Sequence, residues 1–175
     1  MADASSPEPR DWLLLIPQLP AKPAYLRVRV WRRLQAMGAA PLKNAVHALP
    51  ARDDTRALFE ELRAEITAGG GEALILKARL VEGMVDAELR AVFDAARDAD
   101  YEELAREARM IAKAEYVSSA DVRRLRKRLD EIAAVDFFGA HGRQAADAAI
   151  AQAEGRAGRH PDVSGPGAPE LTPAE

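Results

Sequence analysis

The sequence predicts an α+β chain, and three observations carry that prediction. Apolar runs and turn residues over residues 12–82 fall in the order strand, helix, strand, strand, helix, strand. Beyond Gly83 the apolar spacing is helical throughout. Glycine and proline stand at the joints, at Pro20, Gly38, Pro50, Gly69-Gly70-Gly71 and Gly139.

Residues 1–11 read as a disordered leader. Trp12–Leu19 is a continuous apolar run ended by the Pro17 and Pro20 region, which fits a buried strand. Lys22-Pro23-Ala24 opens a helix, with Pro23 in the first turn, where its missing N–H costs nothing. Leu26, Val30, Leu34 and Met37 share one face of that helix, and Gly38 stops it. The alternation in Leu26–Val30 leaves a strand as the competing reading. Two short extended pieces, Ala39–Lys43 and Ala45–Leu49, flank a turn at Asn44. Asp53 or Asp54 is expected to cap a helix carrying Leu58, Leu62 and Ile66, which the glycine triplet ends. Ala73–Val81 reads as a further strand. This βαββαβ order is that of a ferredoxin-like unit spanning residues 12–82.

A helical extension over residues 83–154 is expected to pack on that unit. Asp86 is expected to cap a helix with Leu89, Phe93 and Ala96 on one face, continuing through Leu104, Ala108 and Ile111. Ser118-Ser119 caps the next, with Val122, Leu125, Leu129 and Ile132 inward. Asp136-Phe137-Phe138-Gly139 breaks the pattern, its phenylalanines expected to anchor a last helix at Arg143–Glu154. Residues 155–175, rich in Gly, Pro and Ala, read as a disordered tail.

The net charge of −3 conceals a strong asymmetry. Between Trp12 and Arg52 stand Lys22, Arg27, Arg29, Arg32, Arg33, Lys43 and Arg52, with no acid among them. Residues 82–115 hold ten acids against five bases. One face therefore suits an anion, and another is solvated or meets a basic partner. On a helical wheel Lys22, Arg29, Arg32 and Arg33 fall within about 100°, away from the apolar face, with Arg27 on the other flank beside Trp31. Guanidinium forks match phosphate oxygens, so this arc and Lys43 are candidate contacts to DNA or another oxyanion. A solvated helix face is the competing reading. A second basic run, Arg123–Arg128, is flanked by Asp121, Asp130 and Glu131, and fits neutralisation of the acidic helix beside it.

The chemistry of catalysis is missing from the pattern. With no cysteine there are no disulfides, thiolate ligands or thiol nucleophiles. His47, His141 and His160 lack metal-ligand spacing, and no nucleotide-binding or nucleophile motif occurs. Neither a cofactor, a metal nor an enzymatic activity is expected. No apolar run is long enough to cross a bilayer and the N-terminus lacks a signal pattern, so a cytoplasmic location without membrane association is expected. Trp31 and Tyr25 are read as base-stacking groups or as core and interface residues.

Several blocks taken together resemble the N-terminal domain of ChrB, the chromate-resistance regulatory protein. They are Trp12–Ile16, Lys22–Leu34, Leu42–Val46 with Leu49-Pro50, Gly69–Ala73, Ala95–Tyr101 and Asp136–Ala140. The resemblance implies a transcriptional regulator of a chromate-efflux operon that binds operator DNA, responds to chromate and forms a homodimer. ChrB proteins continue into a second domain, whereas this chain continues only into the Gly/Pro-rich tail, so DNA binding without chromate sensing is one expectation. Chromate is itself a tetrahedral dianion, and the same arginines suit it directly. A module that docks a partner through residues 82–115 is the rival reading; an enzyme ranks last.

Overall fold

The computed structural model describes residues 11–22 and 24–157. The leader over residues 1–10, Pro23 at the helix start and residues 158–175, with His160, lie outside the described residues. The element order is β1 (Trp12–Gln18), α1 (Ala24–Ala36), β2 (Ala40–Pro41), β3 (His47–Pro50), α2 (Asp53–Ala68), β4 (Glu72–Ala78), α3 (Asp86–Lys113), α4 (Ser119–Ala134) and α5 (Arg143–Glu154). Helix wins over strand at Leu26–Val30. The chain is α+β.

The four strands form one antiparallel sheet in the order β2-β3-β1-β4. β1 is central because both of its faces find cover, which is why its sequence is apolar without alternation. Leu13 and Leu15 are buried in the core that α1 and α2 fill with Leu26, Val30, Leu34, Phe59, Leu62 and Ile66. Trp12, on the opposite face, stacks on Phe93 of α3 at 5.8 Å between ring centroids and meets Phe138 edge-on at 6.0 Å. The Phe137-Phe138 pair thus clamps the α4–α5 connection, and with it the start of the last helix, onto Trp12 of the sheet and Phe93 of α3.

The turns obey local sterics. Gly38 ends α1 at φ 68°, and Asn44 turns the chain between β2 and β3 at φ 51°. The expected aspartate caps are displaced by one residue. Arg52 stands at the α2 N-cap, where its N–H donates to Thr55 Oγ1 at 3.2 Å and Thr55 Oγ1 donates to the Pro50 carbonyl at 2.5 Å. Val85 stands at the α3 N-cap, and its N–H donates to Glu88 at 2.9 Å. Ser118 caps α4 as expected, accepting from the Asp121 N–H at 3.0 Å.

A second core joins the far part of α3 to α4 and α5 through Tyr101, Leu104, Leu125, Leu129 and Ile150, with small alanines from α5. Leu89 and Phe93 of α3 belong to the first core. Alanine at 146, 149 and 153 lets α5 lie close against α3.

Candidate functional site

Helix α1 buries Leu26, Val30 and Leu34, and so turns its basic residues outward or sideways. The six cations expected to meet an anion divide into two groups. Arg29 and Arg33 point sideways to α2: Arg29 Nε lies 3.3 Å from Glu65, and Arg33 lies 3.2 Å from Glu61 and 3.3 Å from Glu65. The stretch that is acid-free along the chain is thus answered in space by two glutamates one helical turn apart. From sequence Glu61 reads only as helix-surface charge and Glu65 draws no notice, although their four-residue spacing places both on one flank of α2.

Lys22, Arg27, Arg32 and Lys43 are exposed and have no acidic partner among the described residues. Arg27 flanks an exposed apolar ridge beside Trp31, and Arg32 stands within it between Tyr25 and Val28; Tyr25 is 64% exposed, Val28 49% and Trp31 58%. Trp31 is therefore no part of the core. On one side, Arg27, Trp31, Leu19, Ala45 and His47 line a hollow of about 320 Å³ that opens toward the β2–β3 turn. Lys43 sits in that turn, where its carbonyl accepts from the Val46 N–H at 3.0 Å. On the other side Tyr25, Val28, Arg29, Arg32, Arg33 and Ala36 line a hollow of about 640 Å³. Basic and aromatic groups interleave across the face.

His47, at the wall of the first hollow, hydrogen bonds through Nδ1 to the Ala45 carbonyl at 3.0 Å. Burial pushes its pKa below the usual histidine value, with that hydrogen bond opposing.

Three arginines of the second basic run bond acids of neighbouring helices, while Lys127 pairs with Glu131 of α4 itself and Arg123 is exposed. Arg124 bonds Glu107 at 3.2 Å, and Arg128 reaches Glu107 at 2.7 Å and Glu103 at 3.2 Å. Arg126 grips Glu154 through two bonds of 2.6 and 2.7 Å and also binds Asp147. These contacts hold α4 to α3 and α5, as the flanking acids suggest. No cluster of histidine and acidic side chains is placed to hold a metal ion, and no helix is long and apolar enough to cross a membrane, among the described residues.

A family described as "Protein ChrB, N-terminal" matches residues 27–162. Protein ChrB of Cupriavidus metallidurans is 32% identical over 141 residues, which cover 77% of this chain and 42% of that protein. The chain thus spans less than half the length of this curated relative. No solved structure matches. With the family matched across most of its length, the chain belongs to the ChrB N-terminal family.

Proposed function

We propose that this chain is a non-enzymatic, DNA-binding regulatory domain of chromate resistance, acting in the cytoplasm as a homodimer. The observation that carries the reading is the outer face of α1. Arg27 and Arg32 are exposed there without acidic partners among the described residues, beside Tyr25 and Trp31, with Lys22 and Lys43 at its ends. Unpaired cations release counterions on meeting phosphates, whereas Arg29 and Arg33 must first leave Glu61 and Glu65. Phosphate contact therefore rests on Lys22, Arg27, Arg32 and Lys43, and Arg29 and Arg33 act as supports for the helix.

The sheet supports a ferredoxin-like reading of residues 12–82. Read from its other edge the order is β4-β1-β3-β2, so each βαβ connection skips a strand, as in a split βαβ unit. Chromate fits the proposal as an effector that changes DNA affinity, with DNA changing chromate affinity by the same factor. A dianion seated at Arg29 and Arg33 would face Glu61 and Glu65, so the outward cations suit it better.

The test is a salt titration of binding to the DNA upstream of the gene, with and without chromate. Arg27→Ala with Arg32→Ala is expected to lower the slope of log affinity against log salt by about 2, while Arg124→Ala leaves it unchanged. No binding at low salt overturns the proposal.

A further inference from the structure

A third hollow, of about 680 Å³, runs between α2 and β4 on the side of the molecule that the DNA reading leaves unused. Leu13, Ala73 and Ile75 form its floor. Arg52, Arg56, Arg63 and Lys77 stand around it, against Asp53 and Glu60. Arg52 is tied to Asp54 at 2.6 Å, Arg56 to Glu60 at 2.8 Å and Lys77 to Asp11 at 2.7 Å, whereas Arg63 has no partner among the described residues. The lining holds four cations against two acids, and Arg63 is the one of the four that no carboxylate among the described residues answers.

The hollow lies along a sheet edge. β4 is the terminal strand, and all seven of its residues pair with β1 in one unbroken register, from Glu72 opposite Gln18 to Ala78 opposite Trp12. Its other edge makes no main-chain hydrogen bond to any described residue. It has neither a proline nor a bulge, and Lys77 is the one charge it turns toward α2. On the face away from α2, Leu74 is 63% exposed and Leu76 45%.

We propose that the β4 edge takes an extended acidic segment of a partner protein as a fifth strand, with acidic side chains entering the α2–β4 hollow and alternate apolar ones covering Leu74 and Leu76. Main-chain bonds to an open edge supply affinity, and the two-residue period of a strand supplies selection, because alternate side chains meet different faces. The cationic rim selects acids at the inward positions. A second copy of this chain is the poorer occupant: antiparallel pairing of β4 with itself about Ile75 sets the partner's Lys77 opposite Ala73, beside the Arg63 side of the hollow. The residues used differ from those of the DNA face, so the two readings stand or fall separately.

The probe is a fluorescein-labelled, acetylated and amidated heptapeptide, Val-Glu-Val-Glu-Val-Glu-Val, titrated with the full chain by fluorescence anisotropy. Saturable binding is expected, weakened at least about tenfold by Arg56→Glu with Arg63→Glu, both exposed positions. Methylating alternate amides of the peptide is expected to cause a similar loss in one of the two alternating patterns, which needs no protein variant. A peptide with lysine in place of glutamate is expected not to bind. Absence of saturation at about 1 mM overturns the proposal. So does equal affinity for the methylated and unmethylated peptides, which would signify charge alone. A dimer in sedimentation velocity that β4 substitutions dissociate, with no peptide binding, would assign the edge to a second copy. Displacement of the peptide by DNA with the Arg56/Arg63 dependence intact would assign it to nucleic acid.

Discussion

Trp12 Nε1 donates to Asp86 Oδ1 across 2.7 Å, joining the first residue of β1 to the first residue of α3. The aspartate that sequence spacing places as a helix cap is used instead to hold a helix to the sheet. It keeps the benefit of negative charge in the first turn while satisfying a buried indole N–H. Removing the carboxylate leaves the buried indole N–H without this bond.

Trp12→Phe is expected to cost roughly 1–3 kcal/mol, for the lost charge-assisted bond and part of the ring. Asp86→Asn, which keeps an acceptor oxygen, should cost less. Urea unfolding of the two variants checks the order. Equal loss in both would mean that the carboxylate charge, and not the indole bond, carries the stability.

At Gly38 two constraints coincide. Its φ is 68°, and a Cβ built there lies 2.8 Å from Cβ of Val135 and 3.2 Å from the Val135 carbonyl oxygen. Gly38→Ala is therefore expected to lose roughly 2–4 kcal/mol, from the left-handed backbone and the clash together. Gly83, at φ 82° with nothing near its missing Cβ, isolates the backbone part. Gly83→Ala should cost only about 1–2 kcal/mol, and the difference between the two melting shifts measures the contact with the end of α4.

Tyr101 is fully buried and donates to Asp136 at 3.1 Å. Burial first, and then the Asp136 charge, pushes its phenol up to about 12 from an ordinary 10.0. The folded state holds the proton more tightly than the unfolded chain does. This contribution is intact below pH 10 and disappears as pH rises toward about 12. Thermal unfolding across that range should show a steeper alkaline loss in the native chain than in Tyr101→Phe. Parallel curves would remove the phenol as its cause.

Elements whose determinants are local were legible in the sequence. The Ser118 cap with Val122, Leu125, Leu129 and Ile132, and the limits of α5, needed only caps and a 3.6-residue period. What escaped depends on contacts between distant segments. Counting charge along residues 12–52 could not register that Glu61 and Glu65 come from α2 to meet Arg29 and Arg33. The run at 73–81 reads as a strand, but its pattern does not tell that Leu74 and Leu76 face outward on a terminal strand. Apolarity shows that a residue wants cover, and only topology shows whether the chain itself provides it. The exposed cations Arg27 and Arg32 were found from sequence; that they differ from Arg29 and Arg33 was not.

Helix α3 spans 28 residues, about 42 Å of rise, and gives Leu89 and Phe93 to one core and Tyr101, Leu104 and Ala108 to the other. A continuous helix cannot fray at its middle without uncovering apolar surface on both sides. Phe137 and Phe138 add a second tie from the end of α4 back to Trp12 and Phe93. Melting is thus coupled from one end of the molecule to the other, and the chain should unfold in a single cooperative transition. Cutting it after residue 82 would leave the sheet without the aromatic lid over Trp12, so the sheet half should not survive by itself.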